Sequence, residues 1–387
     1  MKKFVEFVKN LHCDRYDKLI SKIYDEHIPI AVFSSFNSDA ETENGYKLLA
    51  HLMSNGYNVR KFLTPVDAVL ENSSQYRNLE VESIKNFLND SKGVKYIIVF
   101  KDPMANAFVE KFSERGISLL DYQTNIEPIQ WDYNFYMKNL PRIFEVYKNL
   151  DEKSCEVFLA FILGNISGRI DDYIYDPMPQ YFLDGFMPRT GDILIDGGAF
   201  DGSSGSMFKK FGCEVYSFEL DTNNFPMAYE RGKNEGFTVE NLGLGEYSHK
   251  IKYTSASTGS SVDNVGNNTA EIISIDEYVR EKNLPRIDFI KLDIEGSELD
   301  TLKGAALSIA RWKPRLALSA YHKPEDIFTL YEFLKSIRSD YEFAFRHYAT
   351  SFDNEPILFE NQGREFLETF NLPLKAPYVW EAVLYAR

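Results

Sequence analysis

Cysteine is scarce, with Cys13, Cys155 and Cys213 the only three in 387 residues, far apart and without a Cys-x-x-Cys or a neighbouring histidine at ligand spacing. That excludes a disulfide framework or a structural zinc site as the organising device and fits a reducing compartment. Long apolar runs are also missing. No stretch approaches the ~18 residues of a membrane span, and Glu6 and Lys9 interrupt the apolar start before a signal-peptide core can form. The expected location is the cytoplasm. Basic residues number 43 against 58 acidic ones, for a net charge of −15, and never cluster in fives or sixes. Such a surface repels phosphate backbones and anionic lipid, so nucleic acid and membranes are excluded as general partners. What remains is ordinary for a globular chain: 44% apolar residues, with 30 Phe and 24 Tyr to fill cores. The length predicts two or three domains.

The first 125 residues alternate strand and helix patterns. Ile30–Phe36 and Val94–Phe100 read as buried strands, and Glu43–Asn55 has helical spacing. Pro103–Arg115 reads as one helix with Gly116 as its C-cap, before a strand at Ile117–Leu120. This predicts a small α/β domain over 1–125 with a parallel sheet, whose ligand end is the loop from Ser34 to Asp39. No Gly-x-Gly-x-x-Gly opens a helix there, so its function stays unassigned. Residues 126–190 are aromatic, helical in spacing and punctuated by proline, which predicts a packed helical connector.

Residues 191–387 carry the chemistry. A branched apolar strand runs into Asp196-Gly197-Gly198-Ala199-Phe200-Asp201-Gly202-Ser203 and then a helix. Glycines let backbone pass closely around a ligand, and a helix start offers free N–H groups. A second strand, Cys213–Phe218, ends in Glu219-Leu220-Asp221, and an acid about 20 residues beyond a glycine loop suits ribose hydroxyls. A third strand is expected over Phe237–Leu244. The order Asp first, glycines second, acid third departs from the dinucleotide fingerprint and favours S-adenosylmethionine over NAD. The fourth strand is the most specific: Ile287-Asp288-Phe289-Ile290-Lys291-Leu292-Asp293-Ile294-Glu295-Gly296-Ser297-Glu298, followed by Leu302-Lys303-Gly304-Ala305.

With Tyr321-His322-Lys323-Pro324-Glu325-Asp326 and the closing Trp380-Glu381-Ala382-Val383-Leu384-Tyr385-Ala386, these segments resemble the FkbM-type methyltransferases from about Leu150 onward. The resemblance implies a seven-stranded Rossmann-like class I sheet that binds S-adenosyl-L-methionine and methylates a hydroxyl, often on a sugar. By position, Asp196, Gly197, Gly198, Asp201, Gly202 and Ser203 would form the cofactor loop and Glu219 would hold the ribose. Asn241-Leu242-Gly243 would lie near the adenine. Leu220 stands where the family often has proline, which would alter loop shape and not cofactor identity.

Methyl transfer to a hydroxyl needs in-line placement and removal of a proton, which a general base accelerates by typically 10²–10⁴-fold. Asp293, ending strand four, and His322, following the strand Arg315–Tyr321, are the two catalytic candidates. His322 is expected as base, and Asp293 as base or cofactor-amine contact. Against this, acids at 293, 295 and 298 can simply favour a helix start, and His322 can be an ordinary loop histidine. No metal is expected, although three acids and His322 could hold Mg²⁺. The other histidines, at 12, 27, 51, 249 and 347, read as surface residues. The expected partner is a small carbohydrate or nucleotide sugar, its phosphate met by a local patch such as Lys209 and Lys210, or Lys323 and Arg346. The alternatives are a lipid, polyketide or protein acceptor, or a non-catalytic binding protein on a methyltransferase scaffold. Oligomeric state does not follow from the residues, and a homodimer stays open.

Overall fold

The computed structural model describes residues 2–11, 15–35, 39–64, 79–100, 102–122, 133–254, 261–262, 268–351, 372, 375–376 and 381–387. His12, the loop residues Phe36 to Ser38, and Trp380 lie outside them. The chain forms two compact units: 1–140 with 156–177 and 347–381, and 141–155 with 178–346 and 382–387. Residues grouped as a connector in the sequence are thus shared between the two. Within them, the helices Tyr133–Lys138, Leu140–Tyr147 and Glu152–Ser167 account for the helical spacing.

The first unit holds five strands, β1 (Ile30–Phe33), β2 (Val59–Thr64), β3 (Glu80–Ser83), β4 (Tyr96–Val99) and β5 (Ser118–Asp121), all parallel in the order β3-β2-β1-β4-β5. Both faces are covered, which is why the strands read as unbroken apolar runs. Ile30, Val32 and Ile98 pack on Leu48, Leu49 and Leu52 of the helix Asp39–Ser54. Ala31, Phe33, Ile97 and Val99 turn to the opposite face, onto Phe87, Phe108 and Phe112. The single helix expected over Pro103–Arg115 is two, Pro103–Asn106 and Val109–Ser113. The break lets Phe108 enter the core, its ring 6.0 Å from Phe33 and 5.8 Å from Phe112. The excursion 347–381 adds a two-stranded pair, β16 (Thr350–Ser351) with β17 (Lys375–Ala376).

The second unit is built on β6 (Ile193–Gly197), β7 (Glu214–Phe218), β8 (Thr238–Glu240), β13 (Phe289–Leu292), β14 (Arg315–Ser319), β15 (Phe343–His347) and β18 (Ala382–Ala386). Their order is β15-β18-β14-β13-β6-β7-β8, parallel from β14 to β8, with β18 antiparallel to β14. This is the Rossmann-like methyltransferase sheet expected from the sequence. Between β8 and β13 lies a smaller sheet, β11-β10-β12-β9, made of Gly243–Leu244 (β9), His249–Thr254 (β10), Ser261–Val262 (β11) and Asn268–Ile273 (β12). The strand expected over Phe237–Leu244 is therefore split between two sheets. Asn241 turns the chain, its amide donating to the carbonyls of Glu219 (2.8 Å) and Leu220 (3.3 Å).

Candidate functional site: the carboxyl rim of the second sheet

The turn after β6 is forced by its neighbours. Gly198 has φ +80°, and a Cβ there would sit 1.8 Å from the Asp293 carbonyl oxygen, so no side chain fits. Its N–H and that of Ala199 both donate to the Phe218 carbonyl at 3.0 Å, tying the turn to β7. Phe200 and Gly202 also have positive φ, at +50° and +82°. Gly202 then opens the helix Ser203–Lys210. Asp201, just before the helix, accepts from the Ser203 N–H (2.9 Å) and pairs with Arg231 (3.0 Å).

Asp196 is sunk beneath the turn, fully buried. Its carboxylate accepts from the hydroxyls of Ser204 (2.9 Å) and Ser217 (2.8 Å) and lies 3.1 Å from the Lys291 ammonium. Lys291, itself buried, also donates to the Gly197 and Gly198 carbonyls at 2.9 and 2.7 Å. A buried charge survives when paired and fully hydrogen-bonded, and this one is. The pair fixes the floor of the turn from below. Gly198→Ala should consequently lose about 1–3 kcal/mol to overpacking and about 1–2 more to a left-handed alanine, read as a lowered urea midpoint. An unchanged midpoint would contradict the close approach of turn and β13.

At the end of β7, Glu219 is buried, and each carboxylate oxygen accepts one backbone N–H, from Phe200 and from Asp221, both at 2.7 Å. Burial raises its pKa above the usual carboxylate range, against the lowering effect of those two bonds. A carboxylate has about four acceptor sites, so two remain. Leu220 packs against Gly243, where a Cβ would come within 2.6 Å of Leu220 Cδ1, and half-buried Leu242 precedes it.

The ends of β13 and β14 meet in a second polar cluster. Asp293 accepts from the hydroxyls of Tyr181 (3.0 Å) and Tyr321 (2.9 Å). Burial pushes its pKa up, but Lys291 and His322 outweigh that and hold it below the usual aspartate range. His322 has an 8% exposed side chain. Its Nδ1 bonds Glu298 Oε1 at 2.8 Å, while Nε2 lies 3.6 Å from both Asp293 and Glu295 and has no hydrogen-bond partner among the described residues. Burial alone would lower the imidazole, yet Glu298, Asp293 and Glu295 carry its pKa up to about 9. Among the described residues no group of three or more such side chains is arranged to hold a metal ion.

All the sequence-predicted positions, from Asp196 to Gly243, with Asp293 and His322, fall on this carboxyl rim of the sheet. Three participants, Lys291, Ser217 and Tyr181, were not expected from the sequence, and Glu298, expected as a helix-start acid or Mg²⁺ ligand, instead holds His322. A lysine inside the apolar strand Phe289–Leu292 was the available signal, since such a charge needs a partner. Tyr181 lies more than a hundred residues from Asp293 and gave none. Two expectations are overturned. His347 is not on the surface but fully buried, its ring 4.7 to 5.2 Å from those of Tyr175, Tyr173 and Phe161. Arg346 is likewise buried and donates to Ser154 at 2.6 Å, so it cannot join Lys323 in a phosphate patch. Lys210 is exposed but lies 3.4 Å from Glu235.

Residues 196–345 match the methyltransferase FkbM domain family. The structure is similar over 100% of its length to 98% of a methyltransferase FkbM from Methylobacillus flagellatus KT, at 20% identity and TM-score 0.65. A precorrin-6y C5,15-methyltransferase from Geobacter metallireducens GS-15 aligns over 52% of this chain and 82% of its own, at 10% identity and TM-score 0.33. A putative rRNA methylase from Clostridium thermocellum aligns over 51% and 86%, at 10% identity and TM-score 0.29. No curated protein matches the sequence. Residues 196–345 thus match a methyltransferase FkbM domain, in a chain whose fold is similar over its length to that of a methyltransferase FkbM.

Proposed function

We propose that this protein transfers a methyl group from S-adenosyl-L-methionine to a hydroxyl of a carbohydrate or nucleotide sugar. The observation that carries the reading is His322, held by one ring nitrogen on buried Glu298 with the other free of hydrogen bonds among the described residues, beside Asp293 on the rim that also bears the glycine turn. The residues fit the cofactor. Gly197, Gly198 and Gly202 let the turn close tightly against β13 and the Ala228 backbone at the rim, over the buried Asp196–Lys291 pair, and Glu219 retains acceptor sites for ribose hydroxyls. Asp293, held ionised, suits a cationic group more than proton abstraction.

When bound, S-adenosylmethionine supplies an activated methyl on a sulfonium. Asp293 and Glu295 orient the acceptor by accepting from its other hydroxyls. His322 Nε2 would take the proton of the acceptor hydroxyl, freeing its oxygen to receive the methyl group that the cofactor would supply. Carboxylates flanking His322 stabilise the imidazolium that results. The carbohydrate acceptor is supported by the family resemblance and by this acceptor-rich rim.

Calorimetry of the full chain with S-adenosylmethionine tests the cofactor, and methyl-labelled cofactor with a panel of nucleotide sugars tests the acceptor. Saturable binding and label in a sugar product are expected. No heat of binding at millimolar cofactor would sink the proposal.

A further inference from the structure

We propose that Glu298 is a positioning residue: it grips His322 by Nδ1 and so leaves Nε2 as the nitrogen that meets the acceptor. This deepens the reading above and rests on it for the chemical role, although the grip itself does not. Glu298 begins the helix Glu298–Lys303, where an acid is ordinarily a cap or a dipole partner. Its hydrogen bonds say otherwise. Oε1 accepts backward from the Ile294 N–H at 2.9 Å and sideways from His322 at 2.8 Å. The helix's own first bond is instead donated by the Thr301 N–H to the Ser297 carbonyl at 2.9 Å. A fully buried carboxylate that caps nothing in its own helix and joins the β13 turn to the β14 loop is built to orient what it holds.

The local backbone serves the same arrangement. Ser297 N–H closes the turn on the Ile294 carbonyl at 3.2 Å, and two successive residues, Glu295 (φ +54°) and Gly296 (φ +91°), take the left-handed conformation. A non-glycine residue there is strained, and such strain persists where surrounding structure holds it. Here it folds the chain back so that Glu295 and Glu298 both face His322, at 3.6 and 2.8 Å. The imidazole is therefore fixed from one side, while its other nitrogen is buried with no hydrogen-bond partner among the described residues. The groups around it are Glu298 from its helix, Asp293 and Glu295 from the β13 turn, the Tyr321 ring at 4.2 Å, and Asp326 from the following helix.

The test is ¹⁵N NMR of the histidine rings in the full chain, with and without Glu298→Gln. In the wild type, the His322 Nδ1 proton should be visible in slow exchange at neutral pH and the ring should titrate near 9. In Glu298→Gln the titration midpoint should fall by at least about one pH unit and the Nδ1 proton should be lost. Well above pH 9, where His322 is neutral in both proteins, turnover should fall about 10²-fold or more without change in cofactor affinity, and the same substitution should have no further effect in a His322→Ala background. A midpoint unchanged in folded Glu298→Gln overturns the proposal. So does a wild-type ring protonated at Nε2 and bare at Nδ1 above its midpoint, an observation that stands even if the variant fails to fold. Because the titration needs no methyl transfer, it can succeed where the catalytic reading fails.

Discussion

Replacing His322 by alanine should lower turnover by about 10²–10⁴-fold while S-adenosylmethionine binds as tightly as before. The separation follows from position. His322 closes the β14 side of the rim, whereas the glycine turn and Glu219 lie beyond β6 and β7. The pH dependence carries a sign that a solvent-exposed histidine would not produce. With a midpoint near 9, only about one molecule in a hundred holds a neutral ring at pH 7. As base, His322 must be neutral, so kcat/KM should rise about tenfold per pH unit through neutrality and level off above about 9. The profile of kcat reports the loaded enzyme, where a bound cation disfavours the imidazolium, so its midpoint should be lower. Flat kcat/KM between pH 7 and 9, or full turnover in His322→Ala, would remove this residue from the mechanism.

The second large effect is on stability. Lys291→Met keeps the length of the side chain but leaves Asp196 buried with two serine hydroxyls and no cation. Breaking a buried pair from one side is destabilising by about 3–5 kcal/mol, a large part of the ~5–15 kcal/mol that typically separates folded from unfolded chains. Chemical denaturation followed by tryptophan fluorescence would measure it. The double variant Asp196→Asn with Lys291→Met should recover most of the loss, because a neutral pair of similar volume carries no uncompensated charge. If the single variant were as stable as the wild type, Lys291 would not be the counter-ion that the distances indicate.

Much of this site was legible before any coordinates. Asp196, Gly198 and Gly202 announce themselves because a turn that approaches another backbone at contact distance tolerates only glycine, and Glu219 because an acid at a strand end has few other uses. The Asp293-to-Glu298 segment was visible as a motif, yet its residues do different things that spacing alone does not separate. Asp293 faces two tyrosines, Glu295 bends the backbone, and Glu298 holds a histidine from another loop. Local pattern also failed at His347, whose polar neighbours in sequence suggested solvent while three distant aromatic rings enclose it. Likewise, the strand expected through Gly243 stops at Glu240 because Asn241 bonds back to the β7 end, a contact twenty residues away.

The order β14-β18-β15 sets a practical limit on dissecting the molecule. Leu316 pairs with Ala386, seventy residues later, and the chain between them passes through the first unit before returning. A fragment cut at the family boundaries, 196–345, would lack most of β6 and all of β18, leaving β14 with an open edge inside what should be a continuous sheet. Such a fragment should aggregate when expressed alone and become soluble only if residues 382–387 are restored in trans or by a short fused linker. Neither unit is a contiguous stretch of gene, so insertions and shuffling at the apparent domain border would disrupt both cores at once.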